Sequence, residues 1–206
     1  PDVVAESPAP QAGTGSQAAA GEEAIPPAPV PVAEPGDVLY FTFDDGPSPT
    51  WTPRILDLLG SYGAGATFFQ VGEAAAKHPT LVDLVRDRGH GVGNHTWNHP
   101  DLTRLSSEDV RDQLTRTTDV IGLTSCVRPP MGATNTSVQQ VFTDLGLTEQ
   151  LWDIDTRDWE SRDAAGIVDA VLTQARNGAV ILLHDGGGDR SATVAALSVN
   201  VTRITE

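Results

Sequence analysis

Two aspartates, Asp44 and Asp45, stand side by side where a β-rich apolar run over 38–43 gives way to Gly46 and Pro47. Such a pair makes an ordinary turn, because Asp favours turns and Gly permits positive φ. Adjacent carboxylates leaving a strand also point in different directions, so one can bind a metal ion while its neighbour stays free as a base. Further along, His95 and His99 lie four residues apart in His-Thr-Trp-Asn-His. Imidazoles at that spacing reach a single ion from one helical turn or from a tight loop, and Gly93 and Pro100 favour a loop or a single turn. With Asp45 they would complete a His, His, Asp set, which leaves positions for water and substrate.

Three further clusters follow predicted strands. Arg128-Pro129-Pro130-Met131-Gly132 makes a stiff loop, in which Arg128 is either a solvated cation or a bidentate partner that keeps a carboxylate ionised and fixed in direction. Asp155-Thr156-Arg157-Asp158-Trp159 sets carboxylates beside an indole; this suits a sugar site, and an ion-paired surface loop is the plainer reading. His184 ends the run Ile181-Leu182-Leu183, where a histidine serves either as a satisfied core residue or as a proton donor tuned by a carboxylate. His78 and His90 sit near helix ends and read as structural.

The elements that must position these groups alternate. Strands are expected at 38–43, 66–71, 91–94, 125–128, 149–154 and 179–184, with helices at 51–60, 80–88, 106–121 and near 135–145, 163–176 and 191–197. Ser106 opens the third helix with Asp109 three residues on, an imperfect capping box. About six strand–helix alternations imply parallel strands covered by helices, with sites at the carboxyl ends of the strands. Every polar cluster falls just after a predicted strand, so five clusters in this order point to one site.

Composition narrows the partners. The net charge is −15, from 28 acidic and 13 basic residues, and no basic face for nucleic acid or an anionic membrane appears. No apolar run approaches the roughly 20 residues of a membrane span, so the chain reads as soluble and without membrane insertion. The sequence starts at Pro1 with no charged-then-apolar leader, so any signal peptide is expected to be already removed. Cys126 is the single cysteine, which rules out an intramolecular disulfide and an all-thiolate zinc site and fits the cytosol or a bacterial secreted protein. Residues 1–36, rich in Pro, Ala, Gly and Glu, read as a disordered linker, with a stiff extended stretch near its end, ahead of a folded unit over 37–206.

From Val38 to about Ala196 the chain resembles the NodB-homology polysaccharide deacetylases, carbohydrate esterase family four. The motifs that carry the resemblance are TFDDG at 42–46, HTWNH at 95–99, RPPMG at 128–132, DTRDW at 155–159 and LLH at 182–184, all in family order. The resemblance implies an α/β fold, a distorted (β/α) barrel in a single domain, and hydrolysis of acetyl groups from an acetylated polysaccharide. It implies Asp44 as general base, with Asp45, His95 and His99 holding one divalent ion, usually zinc, with cobalt or another divalent ion able to substitute. Arg128 would hold Asp44, the Met131 N–H would stabilise the oxyanion, and Asp158 would tune His184, the general acid. Trp159 and Leu182 would wall the groove and the acetyl-methyl pocket. A secreted or cell-wall-associated monomer is expected, acting on N-acetylglucosamine polymers such as chitin, chito-oligosaccharide or peptidoglycan, with acetylxylan ester activity besides. The family often has Tyr where Met131 stands, which alters the groove edge and leaves the main-chain role intact. Many members continue to a further strand past the point where this chain ends, so a shortened or differently closed core is expected. The competing readings are a non-catalytic carbohydrate-binding relative and a metal-dependent C–N hydrolase of a small amide.

Overall fold

Alternation along the strands sets the architecture. In β1 (Tyr40–Asp44), Phe41 and Phe43 face the helices, while Thr42 and Asp44 face the opposite side of the sheet, where both meet Arg128. In β7 (Val180–His184), Ile181 and Leu183 join the same core, and Leu182 and His184 line a cavity. A sheet covered on both faces buries near-continuous apolar runs, as these strands do. The structure of the chain, a computed structural model, describes residues 38–161 and 163–205. The tail expected over 1–36 lies outside the described residues.

Five further strands, β2 (Ala66–Gln70), β3 (Gly91–Asn94), β4 (Cys126–Val127), β5 (Thr148–Glu149) and β6 (Ile154–Asp155), complete a sheet in the order β5-β4-β3-β2-β1-β7-β6. Every pairing in it is parallel. Its crossovers are α1 (Thr52–Ser61), α2 (Gly72–Lys77), α3 (Pro79–Asp87), α4 (Ser107–Ile121), α5 (Thr136–Asp144) and α6 (Ala164–Leu172), with α7 (Ser191–Thr205) following β7. Local signals explain the starts. Pro53 and Pro79 enter α1 and α3 in the first turn, and Ser106, Asn135 and Asp163 cap α4, α5 and α6 by accepting backbone N–H groups. Ile55, Leu56 and Leu59 of α1 and Val82 and Val85 of α3 pack on the strands in the main core, while Val110 and Leu114 of α4 meet Val138, Val141 and Phe142 of α5 in a second cluster.

The expected single strand over 149–154 is instead two short strands at opposite edges of the sheet. Five residues of extended chain reach at most about 17 Å. The two edges must therefore approach within that span, which a flat seven-stranded sheet does not permit. The sheet curls into an incomplete barrel, and the crossing segment between β5 and β6 bridges its open side. There Gln150 N donates to Val127 O and Asp153 N to Val180 O, so each end is bonded to a different edge. This closure gives the expected distorted barrel. The sequence gives no warning of α2, whose first two amides, at Gly72 and Glu73, donate to the carbonyls of Thr96 and Trp97 and so support the loop that carries His95 and His99.

Candidate active site

The carboxyl ends of β1, β3, β4, β6 and β7 meet at one cavity of about 520 Å³. Asp44, Asp45, His95, His99, Met131, Trp159, Leu182 and His184 line it, together with Trp152, Asp155, Gly187 and Arg190. Arg128 and Asp158 stand behind that wall, bonded to Asp44 and His184 respectively. The structure thus gathers all ten residues singled out in the sequence.

Asp45 Oδ1 lies 3.6 Å from His95 Nε2 and 3.4 Å from His99 Nε2. The three ligand atoms fall within 4.8 Å of one another, and the two imidazole rings stand 5.0 Å apart, edge to face. Of the two arrangements open to the histidine pair, the structure takes the loop. His95 N donates to Gln70 O, Thr96 N to Asn94 Oδ1, and His99 N to Thr96 Oγ1. Gln113 of α4 accepts from Trp97 N and Asn98 N through Oε1 and donates to Asn98 Oδ1, pinning the loop from outside. His95 Nδ1 donates to Arg128 O at 2.7 Å, which fixes the tautomer and leaves Nε2 with its lone pair directed at Asp45. Burial pulls His95 down to about 3, with Asp45 opposing, so the ring is neutral near pH 7. One carboxylate and two imidazole nitrogens fit a divalent ion of the zinc class.

Asp44 is buried, and Arg128 holds it. Arg128 is itself fully buried over the Phe69 ring, its guanidinium carbon 4.2 Å from the ring centroid. Its Nη1 donates to Asp44 Oδ1 and Thr42 Oγ1, both at 2.8 Å, its Nε to Gln150 O and its Nη2 to Leu151 O. The expected bidentate clasp is therefore a single bond to the carboxylate. The rest of the fork is taken by carbonyls of the segment that closes the barrel. Oδ2 of Asp44 remains on the histidine side, 3.6 Å from His95 Nε2. Burial pushes the Asp44 carboxyl up from its ordinary value, against the pull of Arg128 and the nearby imidazoles.

His184, paired with Asp44 across the β1–β7 ladder, donates Nδ1 to Asp158 Oδ1 at 2.7 Å. Asp158 Oδ2 accepts from His184 N and from Thr193 Oγ1, so this buried carboxylate is fully engaged. Burial disfavours the imidazolium, but the bond to Asp158 and the fields of Asp158, Asp44 and Asp45 outweigh it and hold His184 above its ordinary value. The Asp45, His95 and His99 cluster and a cation-favouring His184 thus face each other across one cavity. Leu182 forms part of its buried wall, and Trp159 and Met131 are exposed at 52 % and 62 %.

Asp45, His99 and Met131 all adopt left-handed backbone conformations, at φ 71°, 62° and 58°. Non-glycine residues rarely do so, and these three are concentrated around one cavity. Residues not singled out in the sequence also contribute. Trp152, Arg190, Thr193 and Gln113 act through contacts distant in sequence. The three consecutive glycines before Asp189-Arg190 and the indole close before the Asp155 cluster were the local signals available.

Parallel strands curled into an incomplete barrel gather carboxylates and imidazoles at their carboxyl ends, a (β/α) scaffold with Asp45, His95 and His99 spaced as ligands of one ion would be. The polysaccharide deacetylase family profile matches residues 32–150, and the chain belongs to that family, the NodB-homology carbohydrate esterases of family four. A chitooligosaccharide deacetylase of Rhizobium leguminosarum bv. trifolii is 43 % identical over 154 residues, covering 72 % of this chain and 71 % of the relative. The peptidoglycan-N-acetylglucosamine deacetylase PgdA of Listeria monocytogenes is 37 % identical over 180 residues; the match takes in 85 % of this chain but spans 37 % of the Listeria protein's length. Among solved structures, a family 4 carbohydrate esterase from Streptomyces lividans in complex with acetate superposes with a TM-score of 0.77 at 36 % identity, over 82 % of this chain and 88 % of that one.

Proposed function

We propose that this chain hydrolyses the acetyl amide of N-acetylglucosamine polymers, such as chito-oligosaccharide or peptidoglycan, with ester hydrolysis on acetylated xylan as a side activity. The observation that carries this reading is the convergence of Asp45, His95 and His99 within 4.8 Å in the cavity that also holds Asp44 and His184. Family membership and the names of the two relatives support the substrate class. Residues 37–206 would be the catalytic unit, working as a monomer outside the cell or in its wall, with 1–36 as a spacer. No described helix is long and apolar enough to cross a membrane.

Asp45, His95 and His99 would hold one divalent ion, zinc by the chemistry of the donor set, with cobalt able to replace it. When bound, such an ion polarises the acetyl carbonyl and makes a water molecule acidic enough to be deprotonated near neutral pH. Asp44 takes that proton on Oδ2, the oxygen not bonded to Arg128, as the water oxygen bonds to the acetyl carbonyl carbon. The Met131 N–H donates to the developing oxyanion. His184, charged and oriented by Asp158, gives a proton from Nε2 to the departing sugar nitrogen as the C–N bond breaks, so acetate and a free amine leave. Leu182 and Trp159 wall the acetyl group and the groove, and a sugar ring can stack on the exposed indole.

The test is acetate release from chito-oligosaccharide, peptidoglycan and acetylated xylan, before and after chelation and again with zinc restored. The expected result is release from the first two that chelator stops and zinc recovers. Release that survives chelation overturns the reading.

A second expectation concerns pH. His184 must be protonated at the start of the reaction, so activity declines as pH rises through its pKa. Asp158→Asn removes the charge that holds this pKa up, so the alkaline limb of the rate profile should move to lower pH. An unmoved limb would assign the proton donor elsewhere.

A further inference from the structure

The loop after β7 reads Asp185-Gly186-Gly187-Gly188-Asp189-Arg190, and its backbone presses on the aspartate pair of β1. Asp185 N and Gly186 N both donate to Asp44 O, at 3.0 and 3.3 Å. A Cβ at Gly186 would stand 2.0 Å from the Asp45 carbonyl oxygen, and one at Gly187 would stand 2.6 Å from Asp45 Oδ2. The contact is mutual, since a Cβ at Gly46 would stand 2.3 Å from the Asp185 carboxylate.

The loop is fixed from three sides. Thr52, at the start of α1, donates Oγ1 to Asp185 Oδ2. The Trp51 indole Nε1 donates to Gly188 O at 2.9 Å. Arg190, 5 % exposed, donates Nε to Gly186 O at 2.7 Å and Nη1 to Asp158 O at 3.2 Å. Asp45 meanwhile sits at φ 71°, a conformation that is unfavourable for an L-residue and persists only where its surroundings enforce it. Its Oδ1 faces His95 and His99, while its Oδ2 faces Gly187.

We propose that the Asp185–Arg190 loop is a clasp that holds Asp45 in its left-handed conformation and aims its carboxylate at the two imidazoles, with Gly187 as a positioning residue for cation binding. The absence of side chains at Gly186 and Gly187 is what allows the close approach. The clasp rests on the metal-site reading above.

Wild type, Gly187→Ala and Gly178→Ala are titrated with Zn²⁺ against a chromophoric chelator, and their melting temperatures are measured. Gly178 is the matched control, because its φ of +81° imposes the same backbone strain on alanine as the +71° of Gly187, while a Cβ there meets nothing within 4 Å. Gly187→Ala should raise the Kd for zinc by about 10–100-fold, the usual effect of disturbing a group that orients a ligand. Gly178→Ala should lose comparable thermal stability and keep the wild-type Kd. If Gly187→Ala does not fold, Trp51→Phe decides, since it removes the indole bond to Gly188 while keeping an aromatic ring beside Arg54; it should raise the Kd by a smaller factor. A wild-type Kd in Gly187→Ala, or in Trp51→Phe where that variant decides, overturns the clasp while leaving the metal site standing. A wild-type protein that takes up no zinc sinks the metal site and the clasp together.

Discussion

Asp44→Asn is expected to slow acetate release by about 10²–10⁴-fold, the range that a positioned general base contributes. The substitution keeps shape and hydrogen-bond capacity. An Asn carbonyl can still accept from Arg128 Nη1, as Asp44 Oδ1 does at 2.8 Å. It removes the ability to take a proton. Because Asp45, His95 and His99 are untouched, the variant should still titrate with zinc, which separates loss of the base from loss of the cation site. Burial gives a reason for choosing this carboxylate over its neighbour. Asp44 lies 3 % exposed, and burial pushes its carboxyl up from the ordinary value of 3.8, which makes it a stronger base than an ordinary carboxylate. Asp45 is turned toward the two imidazoles by its left-handed backbone and sits against Gly187 on its other oxygen. Measurement of kcat with chito-oligosaccharide decides the matter. A rate within tenfold of wild type would remove Asp44 from the role of base.

Much of this site was legible because each polar cluster follows a strand directly. Asp44, Asn94, Val127, Asp155 and His184 end five of the seven strands, and a parallel sheet carries all such ends to one side. Apolar alternation in 40–44 and 180–184 was enough to place Asp44 and His184 on the same face. What the sequence hides are contacts between residues distant along the chain. Gln113 is a polar residue in an otherwise ordinary amphipathic helix, and nothing near it signals that it secures the histidine loop. The stretch over 149–154 reads as one β-rich run, because its apolar pattern does not record that Gln150 and Leu151 give their carbonyls to Arg128 instead of to a neighbouring strand. The Ala-rich segment at 72–77 is too short for a helical period to stand out between a strand and the next helix.

Those two carbonyls make Arg128 the joint between chemistry and closure of the barrel. Arg128→Met should destabilise the fold by about 3–5 kcal/mol, the cost of removing one member of a buried ion pair and leaving the other uncompensated. Denaturant unfolding measures the loss. Lysine at this position should recover only part of it, because a single ammonium cannot serve Asp44, Thr42, Gln150 and Leu151 in the geometry of the planar fork. The penalty has two sources, an unpaired carboxylate and two abandoned carbonyls, and a double-mutant cycle separates them. Adding Asp44→Asn to Arg128→Met removes the first source and should restore stability in part, although Asp44→Asn alone in the wild-type background lowers it. The carboxylate component also carries a pH signature. Without Arg128, the principal group lowering the Asp44 pKa is gone, so the folded-state value rises further above the unfolded one. A carboxyl raised in this way prefers the folded state when protonated. Its penalty is fully present above the folded-state pKa and fades as pH falls through that value toward 3.8. The gap between wild type and Arg128→Met should therefore narrow on acidification. A gap that is constant with pH would place the loss in the barrel closure alone and leave Asp44 uncoupled from Arg128.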